Sequence, residues 1–452
     1  MAWPGGVPPS GVRAFVGEAP STVAIVVASV ASGESIHATT ALLGCAGSRL
    51  NEERMMQRWL EKAIIHMPQA LDPLLNAGRR YVMPVLRRTL PAARLVGKTA
   101  TGELARVLVV DRRYGAGTLC RLLFAGKPAV EWSGEVPLTG LRGFLGRERQ
   151  GVDLVLATLP GSLPTAMGPE RGVAMPARVQ VVLPVMADRE AQYGLAHTKR
   201  RNRLRRAERA GYRWRVGTSR DEIRQFIEAF HLPHVTARFG DDVIIHETFL
   251  LERHARRGGI LWLSHGGREV GGDLFTLEGD DALSLLVTGM VPDAAEAIPS
   301  PQEAIFLFAT DLARRLGRSK VDMRGAAPLL REGLLQFKVS LGADVVDDTA
   351  SLREMVIDWA RPSAVLHALL RRHPLIVRQG RGFAALTSTV DVDPTAHLRE
   401  IGKFMPAGVA ALLALEPGAE TIEAAIRLTA MPGAVLPSAR TPEPAAAGLR
   451  EG

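Results

Sequence analysis

The chain has 452 residues, a formal net charge of +9 and two cysteines. This length predicts two or three domains, and no apolar run reaches the about 18 residues that a membrane-spanning helix needs. Cys45 and Cys120 form neither a metal-ligand spacing nor a disulfide framework, so the sequence favours the reducing cytoplasm and no bound metal. The excess of basic residues favours anionic partners such as phosphates, CoA, nucleic acid or anionic lipid.

Residues 1–89 predict an N-terminal extension that is partly helical. The apolar residues 21–31 predict a buried strand; a signal-peptide core is the alternative, which the thin positive charge before it disfavours. Residues 51–66 predict a helix, because Asn51 can cap its first turn and its apolar side chains form one stripe. A second helix is predicted over residues 71–86.

The motif R-x-x-G-x-G ends a predicted strand at residues 106–113, with Arg112, Gly115 and Gly117 at its fixed positions. It matches the phosphate loop of GNAT acetyltransferases letter for letter; such a loop holds the CoA pyrophosphate with backbone N–H groups and a helix N-terminus. A tight turn between two strands would explain the same glycines. A second match at residues 379–384 lies between strand-like segments and predicts a hairpin turn.

The most basic stretch of the chain predicts a helix that ends at Gly211. Arg201, Arg205 and Arg206 lie on this helix among other arginines and one lysine. Like charges on one helix repel each other, and a bound anion would relieve that repulsion. The helix is therefore either a solvated face or a contact for phosphate or tRNA.

Residues 260–264, 269–277 and 282–288 predict three antiparallel strands, with glycine-rich turns between them. A helix over residues 301–316 follows, and it leads into a further strand at Val321. The histidines at positions 231, 234 and 246 lack metal spacing and are predicted to be surface residues or helix-end caps.

Two charged residues, Asp322 and Arg324, flank the end of the strand that begins at Val321. Ligands gather at strand ends in sheets that contain parallel strands. Phe337 and Lys338 follow in an amphipathic segment, where the lysine either extends to water or points into a polar cleft.

This last stretch resembles the end of the catalytic module in FemAB-like and CelD-like acyltransferases of the GNAT superfamily. The matching positions are Asp322, Gly325, Gly333, Leu334, Phe337, Lys338 and Gly342. Upstream, Arg201, Arg205 and Gly211 match the basic helix that often opens such a module. The resemblance implies an α+β fold of tandem GNAT-like units, with mostly antiparallel central sheets flanked by helices. We place these units at residues 90–185 and 186–348, followed by a C-terminal appendage at 349–437 and a disordered tail at 438–452.

The resemblance also implies an N-acyltransferase. Lys338 would be the donor for the developing oxyanion, and in a FemAB-like enzyme Phe337 with Lys338 would stabilise the transferred aminoacyl end. Asp322 or a substrate phosphate would accept the proton. The remaining site residues are substrate-binding Arg324, Arg201, Arg205 and Arg206 and CoA-binding Arg112, Gly115 and Gly117. The donor is acyl-CoA, with acetyl-CoA favoured, or aminoacyl-tRNA, and the acceptor is a small-molecule or cell-envelope amine. A catalytically silent GNAT-fold module in a polysaccharide or secondary-metabolite pathway is the alternative from another class.

Overall fold

The computed structural model describes residues 89–111, 115–160, 172–239, 248–278, 281–291, 301–348, 353–380 and 382–415, together with several short strands outside these ranges. The chain divides into two units, Met1–Leu71 and Asp72–Gly452. The first unit contains the short strands β1 (Glu18–Ala19), β2 (Thr22–Val23), β3 (Ile25–Ala28) and β4 (Ala38–Ala41). β1 pairs with β2, and β3 pairs with β4, in both cases antiparallel.

The first large sheet of the second unit has six strands in the order β7-β5-β6-β8-β17-β9. These are β5 (Thr89–Lys98), β6 (Leu104–Val110), β7 (Ala129–Pro137), β8 (Leu154–Pro160), β9 (Gly172–Pro176) and β17 (Arg353–Asp358). β6 and β8 run parallel and the other pairs antiparallel. Residues 107–110 of β6 and 154–159 of β8 are all buried, as expected of central strands that are covered on both faces.

The second large sheet has seven strands in the order β11-β12-β13-β14-β15-β10-β16. These are β10 (Val179–Pro184), β11 (Arg213–Gly217), β12 (Gly258–His265), β13 (Arg268–Glu278), β14 (Ala282–Met290), β15 (Lys320–Ala326) and β16 (Asp344–Val346). β12, β13 and β14 form the antiparallel meander predicted from the sequence, and β14 then pairs parallel with β15.

A third sheet contains β18 (Leu375–Gln379), β19 (Gly382–Ser388), β20 (Val409–Leu415) and β21 (Ile426–Thr429) in that order. β18 and β19 pair antiparallel, so the predicted hairpin is confirmed. Both faces of this sheet are apolar: Ile376 and Ala385 join the main core of the second sheet, whereas Val377 and Leu386 join a core of the first.

Helices flank the sheets, so the mixed α/β fold predicted from the sequence is confirmed. They are α1 (Gly115–Leu123), α2 (Leu141–Glu148), α3 (Arg189–Leu195), α4 (Thr198–Arg209), α5 (Arg220–Phe226), α6 (Leu232–Phe239), α7 (Thr248–Ala255), α8 (Pro301–Arg315), α9 (Gly333–Ser340), α10 (Ala364–Arg372) and α11 (Pro394–Gly402). Side chains cap several of them as their sequences predict. Ser219 and Glu222 form a capping box at α5, and Glu332 accepts from the backbone N–H of Leu335 at the start of α9.

The two large sheets exchange strands across the predicted boundaries at residues 185 and 348. β10 precedes the first boundary but lies in the second sheet, and β17 follows the second boundary but lies in the first sheet. The domain limits stay a prediction. The helices predicted over 51–66 and 71–86, and the tail at 438–452, lie outside the described residues.

Candidate functional site

The candidate site lies where the parallel pair β14–β15 stops. Only three residues of each strand are in register, and the last pair is Ser284 with Asp322. β14 continues to Met290 and β15 to Ala326 without further pairing to each other. Beyond this point β15 still pairs with β10, but the register shifts between the pairs Val182–Asp322 and Gln180–Gly325. The result is a gap between two central strands of one sheet, a position where backbone and side chains can meet a ligand.

Asp322 and Arg324 occupy the β15 side of this gap. Arg324 has a left-handed backbone (φ 62°), an uncommon conformation for a residue with a long side chain. Its backbone N–H donates to Asp322 Oδ1 at 2.8 Å, and its Nε donates across the gap to the carbonyl oxygen of Leu285 at 3.1 Å. Asp322 Oδ2 accepts from Ser284 Oγ at 3.2 Å. These bonds hold a guanidinium, which is about one-third exposed, at the open end of the gap.

Lys338 is buried beneath the end of β15 and does not extend to water. Its Nζ donates to the carbonyl oxygens of Met323, Arg324 and Gly325 at 2.6, 3.0 and 3.3 Å. The pKa of Lys338 is lowered to about 8, chiefly by burial and also by the charge of Arg178, whereas Asp322 opposes the fall. An ammonium has three N–H groups, and the three carbonyls use all of them. The side chain therefore fixes the backbone around Arg324.

Asp273, in the middle of β13, is a buried carboxyl that the sequence reasoning missed. It lies opposite Thr288 of β14, whose Oγ1 donates to Asp273 Oδ2 at 2.6 Å. Burial raises the pKa of Asp273 to about 7, while Thr288, Lys338 and Arg324 favour the ionised form. The available signal was a lone acidic residue between Gly271-Gly272 and an apolar run in a predicted central strand.

A five-residue π-helical turn, Ile227–His231, joins α5 to α6 and lies against β14. Gly289 permits this contact, because a Cβ at that position would lie 2.7 Å from the backbone nitrogen of His231. His231 Nδ1–H donates to the carbonyl oxygen of Thr288 at 2.8 Å, and burial lowers the pKa of the ring. The prediction that His231 is a surface residue or cap is wrong, because its apolar helix face lies on the sheet. π-Turns of this kind are frequent at functional sites.

Phe337 lies beside Lys338 but makes a packing contact. Its ring centroid is 5.5 Å from that of Phe306 on α8, and the guanidinium of Arg200 lies 4.4 Å from it on α4. Arg200 also donates to Ser340 Oγ at 2.9 Å and pairs with Glu303. Phe337 therefore packs α9 against α8 and α4, and this packing helps to fix how far the side chain of Lys338 reaches beneath β15.

The predicted substrate-binding arginines of α4 have different surroundings. Arg201 donates to the carbonyl oxygens of Tyr193, Gly194 and Ala196 and thereby closes the end of α3. Arg205 binds Glu190 at 2.7 Å and lies over the ring of Tyr193. Arg206 is exposed. It shares one helix face with the exposed Lys199, Arg203 and Arg209, which we call the basic face.

The predicted phosphate loop follows β6, as expected, and α1 begins at Gly115. Gly117 lies in the first turn of α1, whereas Arg112 lies outside the described residues. The alternative of a tight turn between two strands is wrong, because nine helical residues separate this loop from β7. Gly115 and Gly117 therefore lie in the first turn of a helix that follows β6 in the chain.

Within the ranges that the structure describes, no group of three His, Cys, Asp or Glu side chains could hold a metal ion. None of the described helices is long and apolar enough to cross a membrane.

A scan against protein-family models finds no match, and a search of curated proteins finds none either. Solved structures do match. FemX is 12% identical, with 58% of this chain and 87% of FemX covered and a TM-score of 0.34. L-PGS from Bacillus licheniformis is 14% identical over 61% of this chain and 86% of that protein, with a TM-score of 0.30. A tandem GNAT protein from the clavulanic acid biosynthesis pathway is 16% identical over 69% and 97%, with a TM-score of 0.27.

Proposed function

We propose that this chain is a cytoplasmic N-acyltransferase that moves an acyl group from acyl-CoA, with acetyl-CoA favoured, to an amine acceptor. The observation that carries the proposal is the gap between β14 and β15, where a half-exposed arginine, a buried lysine and two buried carboxyls lie around unpaired strand backbone. Acyl transfer to an amine needs the reactants to be held together, a donor for the developing oxyanion and a group that accepts a proton. The gap contains residue types for each task.

In this proposal Arg324, and not Lys338, stabilises the oxyanion. The guanidinium of Arg324 lies at the solvent-reached end of the gap, whereas the N–H groups of Lys338 bind three backbone carbonyls. The acceptor nitrogen attacks the thioester carbonyl, the C–N bond forms, the C–S bond breaks and the CoA thiolate leaves. Lys338 and Asp322 are positioning residues, because both bind the backbone of Arg324.

The unit β6–loop–α1 supports acyl-CoA as the donor. Its Arg112, Gly115 and Gly117 carry the phosphate-loop motif, and the N-terminal N–H groups of α1 would face a pyrophosphate bound in that loop. The acceptor in this proposal is a small-molecule or cell-envelope amine. The experiment incubates the purified chain with radiolabelled acetyl-CoA and a panel of primary amines, and separates the products. Saturable transfer is expected; the absence of transfer, together with CoA binding that disappears at high salt, would favour the silent module.

Aminoacyl-tRNA is a second candidate donor, and the basic face of α4 favours it. Its exposed side chains offer positive charge along one helix face, which suits a phosphate backbone. Binding of charged tRNA should then weaken steeply as the salt concentration rises. Arg206→Glu should weaken it further, whereas Arg399→Glu, at an exposed arginine on α11, should not. Equal effects of the two substitutions would leave only general charge attraction.

A further inference from the structure

One carboxyl oxygen of Asp273, Oδ1, has hydrogen bonding that is unusual for a protein interior. The side chain is buried, its Oδ2 accepts from Thr288, and its Oδ1 makes no hydrogen bond of ordinary geometry, although the backbone N–H of Leu286 lies near enough to favour the ionised carboxyl. Buried polar atoms without a partner are rare in native proteins, and each one calls for an explanation. For a carboxylate oxygen, the missing partner is a donor, such as an N–H group of a bound molecule.

Charged and polar groups surround the carboxyl of Asp273. Lys338 and Arg324 lie near enough to favour its ionised form, and burial favours the neutral form. The neighbouring His231 bonds the carbonyl of Thr288. Thr288, whose hydroxyl bonds this carboxyl, is half-buried, as are Leu286 and Val287, so this stretch of β14 is partly exposed.

We propose that Asp273 Oδ1 binds the ammonium group of the acceptor and takes its proton, which makes Asp273 the proton acceptor of the site and defines the acceptor as a primary amine. This inference rests on the proposed N-acyl transfer and deepens it. Asp322 was the sequence-based choice for this task. Asp322, however, already accepts bonds from Ser284 and from the backbone of Arg324, whereas Asp273 retains an oxygen that makes no hydrogen bond of ordinary geometry.

The step balances as a proton transfer followed by acyl transfer. The ammonium R–NH3+ gives one proton to the Asp273 carboxylate and becomes R–NH2. The lone pair of the nitrogen forms the new C–N bond, and the pair of the C–S bond leaves with the CoA sulfur. The second proton of the nitrogen leaves as the tetrahedral intermediate collapses, and it neutralises the CoA thiolate directly or through solvent. A carboxyl that titrates near neutral pH is suited to such a transfer.

The test compares the full-length chain with Asp273→Asn, and with Asp344→Asn as a matched control on β16 of the same sheet. With acetyl-CoA and n-butylamine, wild-type kcat/KM for the amine should rise with pH through the titration of Asp273. Asp273→Asn should lose at least about 100-fold in amine transfer and lose this rise. Its amine-independent hydrolysis of acetyl-CoA should stay within about two-fold of wild type, because the donor site is intact. Asp344→Asn should behave as wild type.

A structural role alone would lower both reactions together, so unequal loss is the expected result and equal loss overturns the proposal. Infrared difference spectra of wild type against Asp273→Asn add a readout that needs no turnover. They should show a carboxyl that titrates and responds to n-butylamine. If wild type transfers to no amine, the proposed function fails. In that case a carboxyl signal that n-butylamine perturbs would still support amine binding at Asp273, and an unperturbed signal would contradict it.

Discussion

The first and second sheets each contain a parallel strand pair with a helix between its strands, and the two pairs end in different ways. In the first sheet, β6 and β8 stay in register from Val107 and Leu154 to Val110 and Ala157. In the second, β14 and β15 separate after three residues. Each pair also has a non-glycine residue with positive φ at its end: Asp111 in the first sheet and Arg324 in the second.

The surroundings of these two residues explain why the candidate catalytic site lies at the end of the parallel pair in the second sheet. Asp111 is buried, and Arg353 of β17 donates to its Oδ2 at 2.5 Å, so the strained position is closed by protein. Arg324 is held by backbone and lies at the edge of an unpaired stretch. Local strain is tolerated where the surrounding structure fixes it, and such positions cluster at functional sites. Interrupted pairing therefore distinguishes the two sheets better than strain does.

The largest expected effect comes from removing the guanidinium at the gap. Arg324→Gly should lower the rate of acyl transfer about 1,000-fold, the range seen when an oxyanion donor is lost. Glycine adopts a positive φ without strain, so the free energy of unfolding of Arg324→Gly should not fall below that of wild type. Arg324→Ala keeps the strain and should be less stable than Arg324→Gly by about 1 kcal/mol. Steady-state kinetics and urea unfolding of both variants check this. Equal stability of the two variants, or wild-type rates in either, would contradict it.

Lys338→Met should reduce acyl transfer about 100-fold, because three backbone carbonyls lose the donor that Lys338 provides and the backbone of Arg324 is released. We expect the free energy of unfolding to fall by about 2 kcal/mol, with the protein still folded. Lys320→Met is the matched control, since Lys320 lies on β15, is half-exposed and pairs with Asp281 near the surface. It should leave both quantities nearly unchanged.

The lowered pKa of Lys338 gives a second readout for that variant. The folded pKa of about 8 lies below the unfolded value of about 10.4. Between these two pH values the unfolded chain binds more protons, so wild-type stability should rise with pH relative to Lys338→Met. A difference between the two proteins that is flat over this interval would place Lys338 in a solvated position.

In the first sheet, Asp111→Ala should act on stability and not on catalysis. It removes a buried carboxylate from Arg353 and should lower the free energy of unfolding by about 2 kcal/mol. Under conditions where the variant stays folded, acyl transfer with saturating donor should match wild type. Chemical denaturation and kinetics on one preparation test both halves. A catalytic loss as large as that of Lys338→Met would erase the distinction between the two sheets.

The smallest effect concerns the third sheet, which packs against cores of both large sheets. His367 Nδ1 lies 2.9 Å from Ser388 Oγ, His397 Nε2 lies 2.9 Å from Thr387 Oγ1, and burial lowers the pKa of both rings. Below the unfolded pKa of about 6.5 the unfolded chain binds more protons, so stability should fall as the pH decreases. His367→Gln should reduce the dependence of stability on pH, measured by thermal unfolding between pH 7 and pH 5. An unchanged dependence would mean that carboxyls elsewhere cause it.

The sequence contained the meander, the hairpin and most of the helices of the second unit, because their periodicity and turn residues are local. Asp322, Arg324 and Lys338 could also be brought together in advance, since they lie within 17 residues and match one motif. Asp273 could not, because its role depends on which β14 residue lies opposite it across a strand bulge at Leu286. The contacts of Lys338 with three backbone carbonyls of β15 likewise depend on how closely α9 packs against the sheet.

The exchanged strands have a consequence for how the protein emerges from the ribosome. β8 and β9 do not pair with each other but both pair with β17, which comes nearly two hundred residues after β8 begins. Until residues 353–358 are synthesised, the earlier sheet has a missing central strand and two unsatisfied edges, which are liable to aggregate. Completion of the first sheet must therefore wait for β17, so that a nascent chain cut short before residue 353 has every strand of the second sheet but not of the first.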